Sequence, residues 1–138
     1  MAHADSTRPQ AILPEGWPRP KGYANGVLAQ GRMLFIAGMI GWDGDGRFHT
    51  DDFAGQVRQA LQNVADVLKE AGGTGENIVR MTWYVTDIEA YRKSLPAIGA
   101  AYRELIGKNF PAMAVVGVTA LVEPKAKIEI ETIAVVPE

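Results

Sequence analysis

The sequence predicts an α+β fold in which one mixed β-sheet carries two helices on one face. Two apolar stripes have the spacing of amphipathic helices, and the segments around them alternate between apolar and polar residues as strands do. The order of elements is ββαβαββ, with about six strands, so both helices are expected to pack on the aliphatic face of a single sheet. The length of 138 residues fits one domain.

Residues 1–20 contain four prolines and little periodicity, which predicts an extended, partly mobile lead-in to a single domain over residues 21–138. Because this stretch has no apolar run behind a basic flank, no secretory signal is expected. Residues 27–30 and 33–37 then flank the dipeptide Gly31-Arg32, and such a two-residue connection predicts a β-hairpin.

The clearest helix is predicted over residues 53–68, whose apolar residues form one stripe. Thr50 or Asp51 is expected to cap its start, and the glycine pair at 72–73 to end it. Residues 78–86 are rich in aromatic and β-branched side chains, so they are expected to form the next strand.

A second stripe over residues 91–106 predicts the second helix. Pro96 is tolerated only in a first helical turn, so the regular helix is expected to begin near Ser94, with residues 87–93 as a separate turn. Two strands, at 114–118 and 127–136, complete the chain.

The last strand places acids and aliphatic residues on opposite faces, because Glu129 and Glu131 alternate with Ile128 and Ile130. Two interpretations are open: both acids are solvated or pair with Lys127, or a subunit interface encloses one of them and suits it to proton transfer. The sheet face away from the helices is left uncovered, and its Val, Ala and Met residues predict a homo-oligomer.

Composition excludes several function classes. The net charge of −2, from 14 basic and 16 acidic residues, gives no basic field for nucleic acid. There is no cysteine and no pair of histidines on one helix face, so a zinc site is not expected. Any catalysis is expected to use carboxylates, tyrosines, backbone groups and water, without a cofactor. Apolar stretches are too short to span a membrane, and a cytoplasmic protein is the expectation.

Two glycine-rich stretches suggest ligand loops but have simpler interpretations. Residues 43–46 begin like a calcium loop, yet Arg47 occupies the next ligand position, so a plain turn is expected. Residues 72–75 follow a helix, whereas phosphate-binding loops precede one, so they are expected to stop the helix.

Several stretches together resemble the Rid family, the YjgF-like reactive intermediate deaminases. They occur in family order and cover most of residues 23–135: YANGV from Tyr23, LFIAGMI from Leu34, QALQNVADVL from Gln59, IVRMTWYVTD from Ile78, FPA from Phe110 and KIEIETIA from Lys127. The resemblance implies a chorismate-mutase-like fold and a homotrimer that binds small molecules in clefts between subunits. It also implies hydrolysis of reactive imines and enamines.

By this resemblance, Glu129 matches a glutamate that helps to activate water, and Tyr23 matches a tyrosine that borders the cleft. Met113 stands where the family has an arginine that binds the substrate carboxylate. Ala37 replaces a serine, Met39 a glutamine and Leu95 an asparagine, while Gly38 and Val115 complete the expected ligand-binding residues.

The missing arginine predicts a cleft for a less acidic, more hydrophobic ligand than 2-iminopropionate, because methionine is apolar and adaptable. The chain is therefore expected to be a divergent imine or enamine deaminase with Glu129 as its catalytic residue. The alternative is a non-catalytic trimer that binds or senses a small molecule. The candidates for a substitute anion-binding cation from a neighbouring subunit are Arg32, Arg47, Arg80 and Lys127.

Overall fold

The computed structural model describes residues 8–138, which form a small α+β fold with a mixed sheet and three helices. The strands are β1 (Gln10–Ile12), β2 (Gly26–Leu28), β3 (Arg32–Ile40), β4 (Ile78–Val85), β5 (Ala112–Gly117) and β6 (Ile128–Val136). The helices are α1 (Phe53–Glu70), α2 (Ile88–Lys93) and α3 (Leu95–Leu105), and a short 3-10 turn, Gly75–Asn77, precedes β4.

The main sheet has four strands in the order β3-β6-β4-β5. Strand β6 is antiparallel to both β3 and β4, whereas β4 and β5 run parallel, so the sheet is mixed as predicted. The prediction of a single sheet is wrong, because β1 and β2 form a separate antiparallel pair.

The predicted hairpin around Gly31-Arg32 is also wrong. Strand β2 pairs with β1, and β3 pairs with β6 from the other end of the chain. Gly31 has φ +148°, and a Cβ there would lie 2.8 Å from the carbonyl oxygen of Val136. Its glycine therefore serves a close approach to the end of β6 rather than a two-residue turn.

Helix α1 covers the sheet with the predicted stripe, and its buried residues include Val57, Leu61 and Val64. Its N-cap is Asp52, not Thr50 or Asp51, because the Asp52 carboxylate accepts a hydrogen bond from the backbone N–H of Gly55 at 2.9 Å. The helix ends before Gly72, which has φ +80°.

The second predicted helix is two helices that meet at Ser94. Residues 88–93 form α2, capped by Asp87, and Pro96 lies in the first turn of α3, as its missing N–H requires. The expected separate turn before Ser94 is thus a short helix, and the expected start of the regular helix is confirmed.

The two faces of the main sheet differ in their cover. Trp83, Ile128 and Ile130 point toward the helices and are buried in the core. On the opposite face, which is the open face of the sheet, Met33 and Phe35 remain 60% and 69% exposed. The predicted uncovered face is therefore present in the described chain.

The expected lead-in of residues 1–20 lies partly outside the described residues, which begin at residue 8. Within residues 8–20 the structure has β1, a strand that the sequence pattern does not predict. Between residues 8 and 138, no helix is long and apolar enough to cross a membrane.

Candidate functional site

A cleft of about 430 Å³ opens on the helix side of the sheet, beside the edge strand β5. Strands β4 and β5 contribute one wall, and α2 and α3 contribute another. The segment 21–23 forms the third side. It is held beside β5 because the backbone N–H of Ala24 donates to the carbonyl oxygen of Pro111 at 2.9 Å.

The walls of this cleft are aromatic. Trp83 and Tyr91 meet edge to face with ring centroids 6.2 Å apart, and Tyr102 stacks on Phe110 at 5.5 Å. Burial raises the pKa of Tyr91 and of Tyr102 above its ordinary value, so both rings stay neutral. The indole Nε1 of Trp83 is buried and has no acceptor within residues 8–138.

Four of the predicted ligand-binding residues line the cleft: Tyr23, Leu95, Met113 and Val115. Met113 lies opposite Met81 and Val115 opposite Trp83 in the parallel β4–β5 pair, and all four side chains face the helices. Tyr23 and Leu95 stand at the mouth, where they are about half exposed. These positions line one side of the same largely apolar cleft.

The other predicted residues lie elsewhere. Met39 packs against the core, and Ala37 faces a depression on the open face of the sheet. Ala37 and Gly38 form a β-bulge, since the register with β6 shifts between Ile36 and Met39. A Cβ on Gly38 would lie 2.6 Å from Cδ of Glu129, so the missing side chain of Gly38 leaves the space that the Glu129 side chain occupies.

Glu129 and Met113 belong to opposite faces of the sheet. Glu129 lies opposite Tyr84, and the Tyr84 hydroxyl donates to Oε1 of Glu131 at 2.6 Å on the open face. That hydrogen bond raises the pKa of Tyr84. Within one chain, the cleft therefore has no carboxylate from β6 among its lining residues.

None of the cations expected to replace the missing arginine lines the cleft. Arg32 donates to the carbonyl oxygen of Pro137, and the Lys127 ammonium donates to that of Asp51. Arg80 and Arg47 line two other depressions. Whether a second copy would bring them near stays a prediction.

Two other cations stand at the mouth of the cleft, Lys21 and Arg103. Sequence reasoning missed them. The available signal was helical spacing, because Arg103 follows Leu95 by eight residues and Gly99 by four on the same face of α3.

One further depression holds none of the expected site residues. It has a volume of about 670 Å³ and is lined by Arg8, Glu76, Lys108 and their neighbours. In the loop at 43–46, the Asp43 carboxylate forms a hydrogen bond with the His49 ring at 2.6 Å and accepts from the backbone N–H groups of Arg47 and Asp45. These hydrogen bonds lower the pKa of Asp43 to about 2. The expected turn is present, and the described residues hold no cluster of three metal-ligating side chains.

Known proteins resemble this chain both in sequence and in fold. The sequence model of a family described as Endoribonuclease L-PSP matches residues 18–136. The chain is 35% identical to the human 2-iminobutanoate/2-iminopropanoate deaminase over 115 residues, covering 82% of this chain and 79% of the human protein. It is 30% identical to the 3-aminoacrylate deaminase RutC of Acinetobacter baylyi over 126 residues, covering 91% and 96%.

The fold agrees with a solved structure. The crystal structure of YyfB from Yersinia pestis, a protein of unknown function in the conserved Rid protein family, superposes with a TM-score of 0.83 at 32% identity, covering 94% of this chain and 99% of that one. Sequence and fold therefore agree over nearly the whole described domain, and the chain belongs to the Endoribonuclease L-PSP family, whose members include the Rid and YjgF proteins.

Proposed function

We propose that this protein hydrolyses a reactive imine or enamine whose reacting carbon bears no carboxylate and whose body is more hydrophobic than 2-iminopropionate. The observation that carries the proposal is Met113 on the wall of an aromatic cleft, where the resemblance to the Rid family implies an arginine. A thioether contacts apolar and aromatic groups well but offers no donor to a carboxylate.

The reaction needs little beyond a positioned water. The Glu129 carboxylate accepts a proton from water as the water oxygen bonds to the imine carbon. The C=N double bond becomes a single bond, and the nitrogen takes the proton back from Glu129. The resulting carbinolamine then collapses to a carbonyl, and the C–N bond breaks to release ammonia. The human and Acinetobacter relatives named as deaminases support this class of reaction for the chain.

We also propose that the active form is a homotrimer with a chorismate-mutase-like arrangement, in which a second copy brings Glu129 to the cleft. Two features support it. The expected site residues divide between the two faces of the sheet, so one chain cannot present all of them to one ligand. The open face also leaves Phe35 and Met33 exposed, an apolar surface that a partner copy would cover.

The alternative candidate is a trimer of the same fold that binds a small molecule without turning it over. The replacement of several polar positions by Ala37, Met39 and Leu95 favours it, because polar side chains orient substrate and water. Endoribonuclease activity, which the family description mentions, is less favoured because the net charge of −2 provides little attraction for phosphates.

The Glu129→Gln variant tests the hydrolase proposal. The imine formed from benzylamine by an amine oxidase lacks a carboxylate, and its lifetime is followed by trapping with semicarbazide. We expect the wild-type protein to shorten that lifetime and Glu129→Gln to lose about a hundredfold or more in turnover.

Glu131→Gln is the matched control, because its amide oxygen can still accept from Tyr84. It should retain turnover. Equal turnover by wild type and Glu129→Gln would reject the mechanism. Apolar ligands that raise the melting temperature of the wild-type protein without being consumed would favour the non-catalytic alternative.

A further inference from the structure

We propose that Arg103, assisted by Lys21, binds an anionic group of the ligand at the mouth of the cleft. The substrate would then be an imine or enamine with a hydrophobic body and a carboxylate or similar anion remote from the reacting carbon. The reacting group rests on the proposed function, whereas the anion site rests on the geometry of the cleft alone.

The Arg103 guanidinium has no ion-pair partner among residues 8–138. Elsewhere on the helices, Arg58 pairs with Glu104 at 2.8 Å and Arg92 pairs with Glu89. Arg103 makes no ion pair with any carboxylate of residues 8–138, and Lys21 at the same mouth makes none either. A cation pair with no internal counter-charge favours an anion from outside the chain.

The backbone of α3 directs this side chain toward the cleft. Leu95, Gly99 and Arg103 are spaced by four residues and all line it. Side chains of helices lean toward the N-terminus, and Nη1 of Arg103 lies 3.3 Å from where a Cβ on Gly99 would be. Glycine is unfavourable in helix interiors. Its presence at position 99 is explained by the Arg103 guanidinium, which lies where a larger side chain would be.

The walls of the cleft indicate the chemistry of the rest of the ligand. Tyr23 and Phe110, which are 44% and 42% exposed, offer aromatic surface in the same cleft as Met113 and the two cations. An anion at Arg103 places the apolar body along these rings. A small 2-imino acid carries its carboxylate on the reacting carbon, so an anion bound at Arg103 would hold that carbon at the mouth of the cleft.

Binding of matched probes tests the inference. Phenylacetate, 3-phenylpropionate and 4-phenylbutyrate are each compared with the corresponding neutral amide by titration calorimetry. We expect at least one carboxylate to bind the wild-type protein about ten- to a hundredfold more tightly than its amide, the usual effect of a charge-assisted hydrogen bond. The preference should weaken as salt rises.

Arg103→Met retains the stem of the side chain and should bring the carboxylate-to-amide ratio close to one. Arg92→Met removes the same charge from an arginine outside the cleft and should leave the ratio unchanged. Gly99→Ala should reduce the ratio by a smaller factor, since the guanidinium must shift by a few tenths of an ångström.

A ratio near one in the wild-type protein, or an unchanged ratio in Arg103→Met, would overturn the inference. The salt dependence in the wild-type protein gives a second readout that requires no variant to fold. Because binding is measured without turnover, an Arg103-dependent preference in a protein that hydrolyses no imine would reject the proposed function and leave this inference standing.

Discussion

The glycine at position 38 lies directly against the side chain of Glu129: a Cβ on Gly38 would be 2.6 Å from Cδ and 2.9 Å from Oε1 of that residue. The contact explains why the bulge of β3 carries a glycine here. It also ties the geometry of the proposed catalytic carboxylate to a strand that does not contribute to the cleft of the same chain.

Gly38→Ala should therefore impair turnover more than stability. The new methyl group meets the flexible end of Glu129 rather than backbone, so the carboxyl group can move aside while the strand persists. We expect turnover of the benzylamine-derived imine to fall about tenfold or more, with a small change in melting temperature. Gly44→Ala, whose Cβ would contact nothing within 4 Å, is the matched control.

Phe35→Glu should dissociate the proposed trimer. Phe35 is 69% exposed on the open face, so a lone chain tolerates the change, whereas an interface would bury an unpaired charge there. Light scattering after gel filtration should give three times the chain mass for the wild type and a lower mass for the variant. Val122→Glu, at a fully exposed residue, should remain trimeric. A monomeric wild-type protein would refute the proposed assembly.

Met113→Arg should restore recognition of small 2-imino acids. A guanidinium at this position can hold a carboxylate through two parallel hydrogen bonds, so KM for the imine made from L-alanine by an amino-acid oxidase should fall roughly ten- to several-hundredfold. Met113→Leu keeps the apolar wall and should leave that KM unchanged. The same KM for both variants would mean that residue 113 does not contact the substrate carboxylate.

Tyr102 links stability to alkaline pH. Its hydroxyl donates to the carbonyl oxygen of Asn109 at 2.7 Å, and burial raises its pKa above the unfolded value of about 10. A raised pKa means that the folded state holds its proton more tightly, so this stabilisation is complete below about pH 10 and is lost as pH rises further.

Tyr102→Phe should lower the free energy of unfolding by about 1 kcal/mol at neutral pH, because one buried hydrogen bond is lost. Its urea midpoint should also fall less than that of the wild type between about pH 8 and pH 11. A parallel pH dependence in both proteins would show that Tyr102 does not carry the linkage.

The spacing of apolar residues correctly predicted those features of the fold that depend on a single helix or strand. The stripe of α1 is buried as expected at Val57, Leu61 and Val64, and the alternation of β6 separates Ile130 from Glu129. Both patterns follow from which side of one element faces the core, and this is encoded within the element itself.

Strand pairing was predicted poorly because it depends on residues far apart in sequence. The three residues of β1 carry no alternation that distinguishes them from the surrounding prolines, and nothing local to Gly31 indicates that its partner is Val136. For the same reason Arg103 was missed. A cation on an amphipathic helix has an exposed position by default, and only the position of α3 across the cleft from β5 shows that Arg103 stands at its mouth.

The burial of Trp83 in the wall of the cleft gives the protein an intrinsic optical probe. Of the three tryptophans, Trp17 and Trp42 are solvent-accessible while Trp83 is 1% exposed. A dissolved quencher such as iodide should silence the first two and leave the blue-shifted emission of Trp83, so occupancy of the cleft can be followed by fluorescence without labelling the molecule.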